Sequence, residues 1–447
     1  MNRTNITRRT FLAGASAVAA SAMVAPRIGA QESRRVSPNE KLNIAGIGVG
    51  GMGGGLIRHH FASENLVAFC DVDDQRAART YNEFPDVPRF HDFRKMLDDM
   101  GHEIDAVIVA TPDHTHAVIA LACMQMGKHV YVEKPLAHNI REARILTEAA
   151  RYHGVATQMG NQGHANEGTR QLCEMIWNDW IGPVHTVHIW TDRPGTWWPQ
   201  GGLALPEPEE VPDYMHWDLW LGPTRERPFS SAYTPSTWRA FWDFGTGALG
   251  DMGCHLLDPA NWALNLGNPA SVEVVKQEGD TDYSGPGSSV ITYEFPERQG
   301  MPPVTIHWYD GGEKPPRPEG IGDDEALGEG DNGSLFIGED GVITCGTYGE
   351  NPRLLPASGM EDREMPEPMI PRSIGHRREW IMACKGGPPP LSNFEYSGPF
   401  TEMVLLGVLA SRLNERIEWD SEKLEVTNLP EAAPYVEGYY RAGWELQ

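Results

Sequence analysis

Between residues 42 and 132, short apolar runs of strand length alternate with longer stretches of helical character. Residues 42–47 (LNIAGI) read as a strand, the stretch through Leu56 and Ile57 as a helix, and residues 66–70 (LVAFC) as a second strand ending at Asp71. Residues 106–110 (AVIVA) give another strand, 117–126 a helix, and 129–132 (HVYV) a further strand. This rhythm predicts an α/β fold with a parallel, doubly wound sheet, whose ligands bind beyond the carboxyl ends of the strands. We place this first domain at 38–158 and a second at 159–447, on a chain whose 447 residues are enough for two or three domains. Residues 311–333, rich in Gly, Pro and acids, read as a long surface loop, a lid or merely a connection.

The first strand runs into Gly48-Val49-Gly50-Gly51-Met52-Gly53. Strand, glycine turn, helix, strand and acid is the order of a dinucleotide-binding Rossmann unit. One glycine permits the tight turn, another lets backbone approach a pyrophosphate, and a third lets helix and strand pack closely. The helix N-terminus adds free N–H groups and a positive dipole end. Two frames fit, Gly46/Gly48/Gly51 and Gly48/Gly50/Gly53; we take the second, in which Ile47 closes the strand. Asp71 follows Gly48 by 23 positions, near the ~20 expected of the acid that binds the adenosine ribose. The alternative for Asp71 is an ordinary strand-end turn residue. A carboxylate there repels a 2′-phosphate, and no Arg immediately follows it, so the expected cofactor is NAD rather than NADP. The candidate cofactor-binding residues are Gly48, Gly50, Gly51, Met52, Gly53 and Asp71, with Thr111, Pro112, His116, Glu133 and Lys134 at or near later strand ends.

Composition changes this picture by exclusion. With 40% hydrophobic and 22% charged residues the chain is neither disordered, collagenous nor a disulfide scaffold. Its net charge of −25, with no basic stripe, argues against nucleic acid and anionic membrane surfaces as partners. Residues 1–30 differ: they hold Arg3, Arg8, Arg9 and Arg27 and no acid, so their removal takes the charge from −25 to −29. The apolar stretch 11–25 is shorter than the ~20 residues of a membrane span, and the segment has the layout of a secretory signal. Thr7-Arg8-Arg9-Thr10-Phe11-Leu12 resembles the twin-arginine export signal, so we expect a periplasmic or otherwise exported protein, cleaved near Ala30 and without a membrane span in the mature chain. That route carries proteins already folded, often with their cofactor. The six cysteines show no CxxC or metal-ligand spacing; they read as buried apolar residues, with room for a disulfide or two and no metal site.

The motifs TPDHTH (111–116) and VYVEKPLA (130–137), after GIGVGGMG and CDVD, resemble the Gfo/Idh/MocA oxidoreductases, named for glucose–fructose oxidoreductase and inositol dehydrogenase. Residues 247–258 (GALGDMGCHLLD) and the closing stretch 376–444 fit as well. The resemblance implies a second α/β domain with a large open, mainly antiparallel sheet. Its outer face would serve a homo-oligomer, a dimer or tetramer. It also implies that Asp251 and His255 reach into a sugar site, and that Lys134 hydrogen-bonds the reacting hydroxyl beside the nicotinamide. Independently of it, Asp251 and His255 are four apart and share a helix face, where histidine suits neutral-pH acid–base work. A solvated Asp–His pair is the bland alternative, as a strand-end surface lysine is for Lys134. Asp258, a turn further on, is a candidate partner. Either Lys134 or His255 can take the proton.

Ten of the fourteen tryptophans fall between residues 177 and 262. Some must be core; the loops around Trp197-Trp198 and Tyr214–Trp217 read as exposed aromatics suited to sugar faces. Candidate substrate-binding residues are therefore Lys134, Asn161, His164, Arg193, Trp198, Asp251 and His255. Three functions compete. The first is an exported NAD-dependent oxidoreductase moving a hydride between a sugar or glycoside hydroxyl and a retained cofactor. The second is a glycoside hydrolase that uses NAD for transient oxidation, elimination, hydration and reduction. The third, a non-catalytic sugar-binding protein, is disfavoured by Lys134, Asp251 and His255 occurring together.

Overall fold

A computed structural model describes residues 34–361 and 363–446; the arginine-bearing segment 1–30 lies outside the described residues. The first sheet has six parallel strands: β1 (Asn43–Ile47), β2 (Asn65–Cys70), β3 (Arg89–Phe90), β4 (Ala106–Val109), β5 (His129–Val132) and β6 (Thr157–Met159). Their order is β3-β2-β1-β4-β5-β6, a doubly wound arrangement that reverses at β1 and β4. Every residue of β4 and β5 is buried, because helices cover both faces of a parallel sheet. The strand-end loops after β1, β4 and β5 thus open on one edge.

The second sheet holds β7 (Val184–Trp190), β8 (Ser271–Glu278), β9 (Ser288–Phe295), β10 (Val304–Asp310), β11 (Gly333–Gly338), β12 (Val342–Cys345), β13 (Arg353–Leu355), β14 (Ile417–Asp420) and β15 (Glu425–Val426). It is ordered β13-β12-β11-β7-β10-β9-β8-β14-β15 and is antiparallel except where β7 meets β10. The loop 311–332 between β10 and β11 carries no helix or strand, in line with its composition.

The two sheets share one apolar core that runs through the helices between them. Helix Ile140–His153 begins with a capping box, Asn139 accepting from Glu142 N (2.9 Å) while the Glu142 carboxylate accepts from Asn139 N (3.2 Å). It packs on helix Phe394–Leu413 so closely that a Cβ on Gly398 would lie 1.8 Å from Thr147 Oγ1. Arg144 grips buried Glu402 with two bonds of 2.8 Å across this seam. Trp380, in helix His376–Cys384, packs edge-on against Phe61 and Tyr131 of the first domain. The end of the chain therefore returns to the first sheet.

All six cysteines are buried free thiols, as their apolar surroundings suggest, and the disulfide for which the sequence left room is not formed. Trp198, Trp217, Trp220 and Trp238 form a local core with Phe229, Tyr233, Phe241 and Phe244. Only Trp197 (59% exposed) and Tyr214 (38%) stand out of those loops as large exposed rings. Burial of the eight clustered rings against one another is what lets residues 191–246 fold with almost no regular structure. Among the described residues no helix is long and apolar enough to cross a membrane.

Candidate active site

The turn after β1 is shaped by its glycines. Gly48 has φ +78° and Gly51 φ +44°, conformations that side chains disfavour. A Cβ on Gly53 would lie 1.8 Å from the Gly48 carbonyl oxygen, so helix and turn can approach this closely only without one. The frame Gly48/Gly50/Gly53 thus puts one glycine at the bend and another at the packing contact, while Gly46 lies within β1. Met52 is 63% exposed at the start of the helix. Asp71 accepts from Gly50 N (2.9 Å) and Asp73 N (3.0 Å). Burial raises its carboxyl above the ordinary range against those donors. The guanidinium of Arg76 lies over Gly51, placing a cation at the turn. Gly48, Gly51, Asp71, Thr111, Pro112 and Lys134 all line the same cleft, as does Glu133. A positive-φ turn, a helix start, a cation and a buried acid suit a dinucleotide.

His116 departs from its expected place. Its ring is buried between the carbonyl oxygens of Thr111 (2.9 Å) and Pro135 (2.7 Å), joining the loops after β4 and β5 behind the cleft. Its neighbour Asp113 reaches across to the second domain, accepting from Thr246 Oγ1 (2.7 Å) and N (3.2 Å). Thr246 directly precedes helix Gly247–Leu256, and a Cβ on Gly250 would lie 1.9 Å from its hydroxyl. The glycines of 247–253 thus let this helix start against the end of β4, which brings Asp251 against Lys134 and Arg239 at the wall of the cleft.

There Lys134 Nζ donates to Asp251 Oδ1 (2.7 Å) and to the Asp251 carbonyl (3.1 Å), while Arg239 Nε donates to the same carboxylate (3.2 Å). The Lys134 and Asp251 side chains are only 14% and 13% exposed. Burial works against both charges, but Lys134 and then Arg239 hold Asp251 well below the usual carboxylate range. Burial likewise pulls Lys134 down, and Asp251 more than compensates, leaving the ammonium above its ordinary value. Asp251 is thus held in a Lys134–Asp251–Arg239 cluster.

His255 is buried, with its Nδ1 free of any hydrogen-bond partner and the Tyr348 ring edge-on at 5.0 Å. Burial, then Lys134, pushes its imidazole down to about 3. His164 stacks on Trp262 (4.2 Å) and its Nδ1 lies 3.0 Å from Asp258, which also accepts from Tyr396 Oη (2.6 Å). Asp258 is thus the partner of His164. Asn161 is fully buried; its Oδ1 accepts from Ser392 and its Nδ2 has no partner. Arg193 pairs with Asp192 and stacks on exposed Trp197 at 3.7 Å. Trp198 is 6% exposed, bonded to Gln200 (2.9 Å), with Arg239 above its ring at 5.8 Å; it stands behind Arg239 in the aromatic core. Arg76, Arg239 and Tyr348 have no local sequence signal: each is one polar residue in a segment without a periodic pattern, and folding alone brings it here.

Two family models match the chain in order, an oxidoreductase family's NAD-binding Rossmann fold over residues 42–161 and that family's C-terminal alpha/beta domain over 174–298. Inositol 2-dehydrogenase 1 of Saccharopolyspora erythraea is 35% identical over 123 residues, 24% of this chain and 36% of that protein. A glycosyl hydrolase family 109 protein 1 of Shewanella sp. is 31% identical over 172 residues, 33% of this chain and 37% of that protein. The chain thus spans little more than a third of the length of these relatives. The WlbA dehydrogenase of Bordetella pertussis, solved with NADH and UDP-GlcNAcA, shares the fold at a TM-score of 0.59 and 17% identity, over 85% of this chain and 99% of that one.

Proposed function

The chain belongs to the Gfo/Idh/MocA oxidoreductase family and its N-terminal domain binds NAD; from that premise we propose that it oxidises or reduces a sugar or glycoside hydroxyl. The observation that carries this reading is the buried ion pair of Lys134 and Asp251, 2.7 Å long, where the end of β5 meets helix Gly247–Leu256, with an unpartnered His255 nitrogen one turn away. When bound, the nicotinamide supplies the hydride acceptor or donor. The remaining work falls to side chains. Neutral His255 accepts the hydroxyl proton at Nδ1, and the Lys134 ammonium, held by Asp251, donates to the oxygen as negative charge develops on it. Asn161 Nδ2 and Arg193 are the further groups offered to substrate hydroxyls.

The proposal extends to export by the arginine-bearing segment 1–30 and to a homo-oligomer, a dimer or tetramer formed on the outer face of the second sheet. An exported enzyme has no soluble NAD pool, so it keeps its cofactor and regenerates it with a second sugar or passes its product on. A second reading is favoured by the family 109 hydrolase relative: the same residues can oxidise a ring hydroxyl transiently while an aglycone leaves and water adds. The test is to incubate the purified exported chain with a panel of glycosides and no added NAD. Keto-sugar formation is the expected result; released aglycone without keto-sugar favours the hydrolase, and neither product overturns both. Denaturing the same protein should release NAD, and its absence refutes cofactor retention.

A further inference from the structure

Beside the adenosine end of the cleft, three side chains from distant parts of the chain meet. Asp74 opens helix Asp74–Glu83, His91 follows β3, and His216 precedes helix Trp217–Leu221 in the aromatic segment of the second domain. One ligand atom from each lies within 4.8 Å of the other two, and all three residues are half-buried. His91 Nε2 is 3.0 Å from Asp74 Oδ1, and the His91 and His216 rings stack at 3.8 Å with 28° between planes. The backbone holds this meeting in place. His216 N donates to Val72 O (2.9 Å), Asp74 N donates to Tyr214 O (3.0 Å), and Asp73 bridges Met215.

We propose that Asp74, His91 and His216 bind a divalent transition-metal ion of the zinc class, which fastens the second domain's segment 212–217 to the rim of the cofactor cleft. Two imidazoles and one carboxylate are a known zinc donor set, leaving a fourth position for water. Ligand bonds of about 2.0–2.2 Å around a tetrahedral ion separate donor atoms by roughly 3.3–3.6 Å. The Asp74–His91 pair is already near that separation, and a modest turn of half-buried rings closes the rest. The Asp74–His91 hydrogen bond accounts for only one imidazole. His216 stacks face to face on it and takes no part in that bond. The donors are 17 and 125 positions apart, which is why no ligand spacing shows in the sequence. Among the described residues this is the one such group.

His216 and Asp74 do not line the cleft, so both can be changed without touching the cofactor-binding or catalytic residues. The full untagged chain, stripped of metal, is titrated with Zn²⁺ against a chromophoric chelator. Expected is one equivalent bound with a micromolar or tighter Kd, weakened at least 30-fold in both His216→Ala and Asp74→Asn, with NAD binding retained in each. Asp74→Asn keeps the side-chain shape, so its result stands even if His216→Ala misfolds. Failure of the wild-type chain to take up one equivalent at 10-micromolar-scale free Zn²⁺ (about 10 µM, enough to fill an open three-donor site) overturns the proposal, as does unchanged affinity in Asp74→Asn.

Discussion

The cofactor cleft and the Lys134–Asp251–Arg239 cluster lie side by side but are made of different material. The cleft is built largely from backbone: a turn with positive φ at Gly48 and Gly51, N–H groups held by Asp71, and loops joined through His116. The cluster is built from side chains held by charge: a lysine from one domain, and an aspartate and an arginine from the other. Backbone shape depends on a few adjacent residues. Charge balance depends on every partner at once. The cleft should therefore yield gradually to substitution and the cluster abruptly.

The sharpest way to break that contrast is Asp251→Ala. It leaves the buried Lys134 ammonium without its counter-ion, and losing one partner of a buried pair costs about 3–5 kcal/mol. A fall of that size in urea-unfolding free energy is expected; a loss under about 1 kcal/mol would mean the pair is solvated and the cluster is no more brittle than the cleft. Next come Lys134→Ala and His255→Ala, each expected to leave NAD binding largely intact while lowering turnover ~10²-fold or more. If the two act in one step, the double variant is little slower than either single one. A double variant slowed by the product of both losses separates them, and wild-type turnover in His255→Ala removes the imidazole from the reaction.

Asp71→Ala tests the cleft. It frees the Gly50 and Asp73 N–H groups and removes the acid we propose for the ribose, with an expected loss of about 1.5–3 kcal/mol in NAD affinity and relaxed exclusion of NADP. Titration showing unchanged affinity for both cofactors would put the ribose contact elsewhere. The smallest effect expected is a flat line. A base must be neutral to accept a proton, and His255 sits at about 3, so falling pH does not protonate it near neutrality. kcat/KM should hold from pH 8 to about 5, and an acid limb with an apparent pKa near 6.5 would mark a solvated histidine as the base.

The same contrast explains what could be read in advance. The parallel sheet, the glycine turn and Asp71 were legible because strand rhythm and turn chemistry are local, each set by residues a few positions apart. Asp251 and His255 were legible as a pair for the same reason, being one helical turn apart. Their roles were not: Asp251 turned out to face Lys134, 117 positions away, and Asp258 to face His164, 94 positions away. Trp198 and Trp217 looked exposed because their neighbours are Gly, Pro and acids. Composition cannot reveal that eight aromatic rings scattered over residues 198–244 would bury one another.

By itself, then, the sequence determined the pieces whose physics is short-ranged: the alternation that makes a Rossmann sheet, the glycines that bend its first loop, and the helix that presents Asp251 and His255 on one face. Tertiary structure decided which charges meet. Asp113 anchors Thr246 and so aims that helix, Arg239 and Tyr348 arrive from loops with no pattern of their own, and Asp74, His91 and His216 converge from three elements. The reason is the range of the forces. Backbone preference and periodicity act over one or two turns, whereas burial strengthens charge–charge and hydrogen-bond interactions only once the fold has excluded water from around them.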